Sequence, residues 1–303
     1  MAERSSPARP EQGGMLLGIG AYVLWGLLPL YLKLIEVVPA IQVLAHRVLW
    51  SLLLLGVAVL VLRRAGAIRA AARGRTLLLL MASALLIAVN WFVYIWSVEN
   101  GHVLEASLGY FINPLVNVAL GVAVLGEKVR RVQWVAIAVA MAGVAVMAMS
   151  GGGALWISIT LALSFGTYGL LRKVAAIDAL GGLLVETMLL APFCAIVLLV
   201  AARSGHGAFG PSASLNLLLI LAGAATTVPL LMFAAAARRM QYATLGLLQY
   251  IAPTLQFGEA VLLFGEPLHP AHLMSFALIW TGLAIYATDS LRASRAMRLA
   301  AAE

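Results

Sequence analysis

LGYFINPLVNVALGVAVLGEKVRRVQW (residues 108–134) comes back as LLQYIAPTLQFGEAVLLFGEPLHPAHL (residues 247–273). Pro114 stands as far ahead of Gly126-Glu127 as Pro253 does ahead of Gly265-Glu266, and the copies are 139 residues apart. Other pairs keep that offset: Tyr94 with Phe233, Leu108 with Leu247, Gly143 with Gly282. Trp25-Gly26 and Lys33 match Phe165-Gly166 and Lys173 at an offset of 140. An internal duplication of this period sets the architecture before any local motif is read.

Each copy lies in apolar sequence. Of the 303 residues, 63% are hydrophobic and 11% charged, and the mean hydropathy is +1.01. A soluble domain carries roughly a quarter charged residues. Such a chain has to use the bilayer as solvent, where a spanning helix takes about 20 apolar residues. Ten segments meet that length: about 14–34, 40–62, 76–98, 103–125, 132–149, 153–171, 181–202, 214–237, 242–264 and 271–288. Barrel strands would be shorter and would alternate, so all ten are expected as helices. The first lacks an A-x-A cleavage signal and reads as a retained helix. The expected organisation is a cytoplasmic tail (1–12), a first five-helix repeat (13–150), a second (151–290) and a cytoplasmic tail (291–303). Ser150-Gly151-Gly152-Gly153 is a flexible turn between the halves.

The loops carry the orientation. With a cytoplasmic N-terminus, 17 of the 20 basic residues fall inside. They include Arg63, Arg64, Arg69, Arg73 and Arg75, then Lys128, Arg130 and Arg131, then Arg238 and Arg239. Only Lys33 and Arg203 fall outside, and Arg47 is within a helix. This positive-inside bias predicts that both termini are cytoplasmic. It also explains the net charge of +8 without nucleic acid; membrane lipid headgroups are the expected partner of the basic loops. Five helices per repeat is odd, so the second copy enters from the opposite face. Equivalent loops obey this. GEKVRR carries three cations where GEPLHP carries none. The expected fold is all-α and integral to the membrane, as two inverted five-helix repeats.

Ionisable groups within a bilayer are costly and therefore candidates for function. They are His46 and Arg47 on the second helix, Glu186 on the seventh, aligned with His46, and Glu259 on the ninth. The plain alternatives are a structural ion pair, a snorkelling helix end or a hydrogen-bonded packing residue. Neutral polar residues form stripes. Tyr110, Asn113 and Asn117 share one helix face. Gln249 and Gln256 occupy the positions of Tyr110 and Asn117 in the second copy, and Asn90, Tyr94 and Ser97 form a third stripe. Lipid cannot satisfy amides, so these stripes are expected to face a cavity or to bond other helices. Pro114 and Pro253 remove a backbone hydrogen bond within their helices and are the hinge candidates; a static kink is the alternative. Trp25, Trp91, Trp96, Tyr22 and Tyr250 suit cavity walls or an interfacial belt, while Trp134 and Trp156 suit the belt.

No G-x-x-x-x-G-K-[ST], G-x-S-x-G or H-E-x-x-H occurs, so ATP drive, hydrolysis and zinc proteolysis lack their residues. No cofactor is expected. His269 and His272 make an H-x-x-H with no further ligand, and no metal site is assigned. Gly14 and Gly18 form a small-residue packing pattern on the first helix. The one cysteine, Cys194, lies in an apolar run and forms no intrachain disulfide.

These blocks carry a resemblance. AYVLWGLLPLYLK (21–33), HRVLWS (46–51), NWFVYIWSVENG (90–101), SLGYFINPL (107–115), YGLLRK (168–173), ETMLLAP (186–192) and LGLLQYIAPTLQF (245–257) are similar to the RarD-type branch of the EamA transporters, in the drug/metabolite transporter superfamily. The resemblance spans roughly residues 14–290. It implies a bacterial inner-membrane carrier of ten helices in two inverted repeats, with a central cavity lined by helices 1–4 and 6–9. Gly258-Glu259 departs from the branch, which is apolar there.

The resulting expectation is a secondary carrier moving a small organic metabolite or drug by alternating access, as monomer or homodimer, with the proton as a possible coupling partner. His46, Arg47 and Glu186 would serve charge recognition or proton coupling, and Glu259 would exchange protons. Tyr110, Asn113, Asn117, Gln249 and Gln256 would hydrogen-bond the solute. The competing readings are a passive facilitator and a membrane-embedded enzyme acting on lipid. A retinal receptor lacks its lysine on the last helix.

Overall fold

Apolar runs longer than a bilayer is thick fold as helices because no other open structure satisfies its own backbone there. The computed structural model describes residues 10–126, 130–149, 154–210, 212–237, 239 and 248–300. Twelve helices are present among them: α1 Pro10–Gly26, α2 Leu28–Lys33, α3 Ala40–Val61, α4 Ala65–Ala71, α5 Gly74–Glu99, α6 Val103–Leu125, α7 Arg131–Met149, α8 Leu155–Val174, α9 Ala179–Arg203, α10 Ala213–Ala237, α11 Ile251–Leu262 and α12 Pro270–Ala300. Nine candidate spans among the described residues are long and apolar enough to cross a membrane. The expected segment 242–264 is represented by α11, and residues 241–247 lie outside the described residues, as do Glu127, Lys128 and the junction 150–153.

Three elements differ from the sequence reading. The first span is broken at Leu27 into α1 and α2. Pro29, in the first turn of α2, has no N–H to give to the Trp25 carbonyl one turn back. The Arg-rich segment 63–75 contains a short helix, α4, which buries Ile68. Residues 291–300, expected as a tail, continue α12; the stretch LRASRAMRLA has no Gly or Pro and is rich in strong helix formers.

The packing is symmetric under exchange of halves. Pair α1 with α8, α3 with α9, α5 with α10, α6 with α11 and α7 with α12. The contacts α3–α9, α6–α11 and α7–α12 then map onto themselves. The contacts α6–α8, α5–α8 and α3–α10 map onto α1–α11, α1–α10 and α5–α9, which are also present. Two glycines make the α7–α12 contact close. A Cβ at Gly143 would lie 2.7 Å from the Ser275 carbonyl, and one at Gly282 would lie 2.6 Å from the Ala136 carbonyl. Ala136 and Ser275 are themselves equivalent at the 139-residue offset.

Helices α3 and α9 run antiparallel. Gln42 at the start of α3 donates through Nε2 to the His206 carbonyl just past the end of α9, at 3.0 Å. Arg64, just past α3, pairs with Asp178 ahead of α9 at 2.5 Å. The bundle thus has a Gln42 end and an Arg64 end.

Candidate substrate site

The Gly-Glu corner of the second copy works as a cap. Gly265 takes the left-handed conformation, φ 66°, and turns the chain after α11. The Glu266 carboxylate accepts from the amides of Val103 and Leu104 at 2.7 and 2.8 Å. It fills the orphan donors of α6, whose own N-cap, His102, contributes no side-chain bond. An anion at a helix N-terminus also meets the positive end of the helix dipole. Burial raises the Glu266 pKa, and the Leu104 and Val103 amides act in the opposite direction. Gly126 is also left-handed, φ 68°.

Between the two ends, polar side chains from both halves converge. Arg47 on α3 is 3% exposed. Its Nε donates to Thr226 Oγ1 on α10 at 3.0 Å, and its guanidinium lies 5.1 Å from the centre of the Trp91 ring on α5. Tyr31, Tyr94 and Tyr110 lie near it. Tyr94 and Tyr110 stand 5.6 Å apart, ring to ring. Tyr94 also lies near Glu259 on α11. Glu259 is 5% exposed. Among the described residues neither Glu259 oxygen, nor Arg47 Nη1, Tyr94 Oη, or either amide atom of the fully buried Asn113 has a hydrogen-bond partner. Buried polar atoms are ordinarily paired, so these are candidates to meet a solute.

Other candidates differ in how far they are bonded within the protein. Asn90 donates to the Leu161 carbonyl at 3.1 Å and to Ser164 Oγ at 3.0 Å, and accepts from Tyr110 at 3.3 Å. Gln256 Nε2 donates to the Trp25 carbonyl at 3.1 Å, the group Pro29 leaves free. Pro253 is buried, and its carbonyl accepts from Ser107 at 2.7 Å; Pro114 lies inside the continuous α6. Tyr250 precedes α11 and stacks on Phe111 at 6.3 Å. Gln249 is half-buried. Asn117 is exposed, although it shares a face with Asn113.

His46 and Glu186 align in sequence but lie toward opposite ends of the α3–α9 contact. His46 is buried toward the Gln42 end and stacks on Phe209 at 5.6 Å. Glu186 is fully buried toward the Arg64 end. It accepts from Ser83 at 2.5 Å and Tyr168 at 3.3 Å, with Arg172 Nε at 3.7 Å. Arg172 Nη2 donates in turn to the Asp178 carbonyl at 3.0 Å. Gly182 leaves the space for this arginine, since a Cβ there would collide with its guanidinium. Ser83 and Arg64 belong to one half; Glu186, Arg172 and Asp178 belong to the other. Sequence reading missed this network. Arg64 reads there as a loop charge, and a serine on an apolar helix gives no signal of its own. No group of three or more His, Cys, Asp or Glu placed to hold a metal occurs among the described residues.

The comparisons agree with this architecture. The EamA-like transporter family model matches residues 12–149. Protein RarD of Escherichia coli is 46% identical over 290 residues, covering 95% of this chain and 98% of its own. The chain belongs to the RarD-like branch of the EamA transporters. An uncharacterized transporter of Pseudomonas aeruginosa is 48% identical, over 93% of this chain and 95% of its own. The chloramphenicol-sensitive protein RarD of that organism is 33% identical, over 93% and 96%. A crystal structure at 20% identity superposes with a TM-score of 0.60, covering 91% of this chain and 97% of that one, and shares the fold. This RarD-like chain is therefore a multi-pass bacterial membrane transporter.

Proposed function

We propose that this EamA transporter carries a small organic solute across the cytoplasmic membrane by alternating access, with its two halves rocking about the buried polar cluster. One observation carries the reading: Arg47, Tyr94, Asn113 and Glu259, from helices of both halves, are buried with polar atoms unpaired. The symmetric packing pairs and the antiparallel α3–α9 contact support an inverted duplication, the usual basis of such rocking. Contacts between the halves bridge both ends, Arg64–Asp178 and Ser83–Glu186 at one, Gln42–His206 and the Glu266 cap at the other. Opening either end means breaking its set, and a solute has to favour the opened state to shift the balance. Glu186 and Glu259 are the proton-coupling candidates, because a carboxylate in apolar surroundings is costly when charged.

The test is uptake into proteoliposomes under an imposed pH gradient, with chloramphenicol and a metabolite panel as solutes. Accumulation driven by the gradient, and lost in Glu186→Gln or Glu259→Gln, supports coupling. Gradient-driven transport that survives both substitutions contradicts it. Equilibration without accumulation favours a passive facilitator.

A further inference from the structure

We infer that the solute is a monoanion whose carboxylate supplies the counter-ion that Arg47 lacks, its body lying along Trp91, Tyr94 and Tyr110. The inference rests on the transport reading above and names the chemical class of its substrate. A guanidinium 3% exposed within a bundle read as membrane-spanning is normally paired with a carboxylate. Among the described residues, no Asp or Glu forms an ion pair with Arg47. Its recorded partners are neutral: the Thr226 hydroxyl at 3.0 Å and the Trp91 ring at 5.1 Å. A partly buried arginine, Arg172, has Glu186 beside it at 3.7 Å. Each arginine keeps a buried Nη1 without a partner, but only Arg172 has a carboxylate beside it.

The open group has the geometry for a carboxylate. Arg47 Nη1 is buried and unpartnered while Nε is held by Thr226, so the guanidinium is fixed in place and keeps a donor free. Tyr94 Oη is a second unpartnered donor. Tyr94 and Tyr110, with rings 5.6 Å apart, and Trp91 offer flat apolar surface. One fixed cation neutralises one negative charge, and the neighbouring groups are neutral donors; a doubly charged phosphate would remain half-compensated. Glu259, near Tyr94, forms no ion pair with Arg47 and disfavours a second negative charge there.

The test uses the full chain in proteoliposomes and follows tryptophan fluorescence and thermal stabilisation. The probes are monocarboxylates, each paired with its primary amide: phenylacetate with phenylacetamide, indole-3-acetate with indole-3-acetamide, and aliphatic pairs of matching size. Sodium chloride alone is the inorganic control. The expected result is saturable binding of acids at least ten-fold tighter than of their amides. That preference should disappear in Arg47→Gln and return in part in Arg47→Lys, with a cooperative thermal transition in each variant showing that it folds. Equal binding of acid and amide, binding of neither, unchanged preference in Arg47→Gln, or saturable binding of chloride alone overturns the inference. Transport of neutral or cationic solutes only would overturn it while leaving the transport reading intact. Tight acid binding with no transport of any solute would do the reverse.

Discussion

Gln256 stands in for the amide that Pro29 lacks. Pro29 leaves the Trp25 carbonyl without its helical donor, and the Gln256 side chain, from the opposite half, donates to it at 3.1 Å. Close approach of the helices makes this possible, since a Cβ at Gly26 would lie 2.6 Å from Leu255.

The relationship predicts a coupling. Gln256→Ala strands a buried carbonyl, which costs about 1–3 kcal/mol. In Pro29→Ala the restored amide reaches that carbonyl, so the loss of Gln256 costs less. A double-mutant cycle on thermal unfolding in detergent should show an interaction of about 1 kcal/mol. Strict additivity would mean that the Gln256–Trp25 bond contributes nothing to stability.

The Glu266 cap predicts a local effect. Glu266→Ala frees the amides of Val103 and Leu104 and removes the anion from the N-terminus of α6. Loss of a cap costs about 0.5–2 kcal/mol. Hydrogen exchange should accelerate at residues 103–106 before it does so in α3 or α9. Unchanged protection there would show that water replaces the cap at no cost.

Much of this was legible in the sequence. The duplication, the boundaries of most spans and the pairing of Gly143 with Gly282 follow from spacing, because helix length and close packing are written as residue type along one chain. What crosses between helices is not. Asn90 and Asn113 look alike as helix-borne amides, yet one is fully bonded and the other has no partner. Gln256 reads as solute-facing, and only the fold shows that its Nε2 bonds the carbonyl left free by Pro29 while its Oε1 has no partner among the described residues. Asn117 shares the face of Asn113 but is exposed, since a shared face does not say how far the covering helices extend.

Gly182 is required by size alone. Gly182→Ala places a methyl group in the Arg172 guanidinium and displaces it from Glu186. The expected loss is about 1–3 kcal/mol, and trimming the arginine in Gly182→Ala/Arg172→Ala should recover the steric part. A single variant as stable as the parent would show that Arg172 has another resting place.

The symmetric contact of α7 and α12 predicts matched penalties. Gly143→Ala and Gly282→Ala each push a Cβ against a backbone carbonyl of the facing helix. Both should lower the apparent Tm, by amounts within about twofold of each other by the overpacking argument. A large loss at one site and none at the other would show that the two halves do not share this contact equally.

The most direct measurement is the sidedness of access to Asn113, fully buried in the unpaired cluster. Asn113→Cys in a Cys194→Ser background would be treated with an impermeant thiol reagent, from each face in turn, in vesicles of both orientations. The account predicts labelling from either face, protection by bound solute, and no continuous ion leak. Labelling from one face only, or from both faces together with a leak, would contradict alternating access.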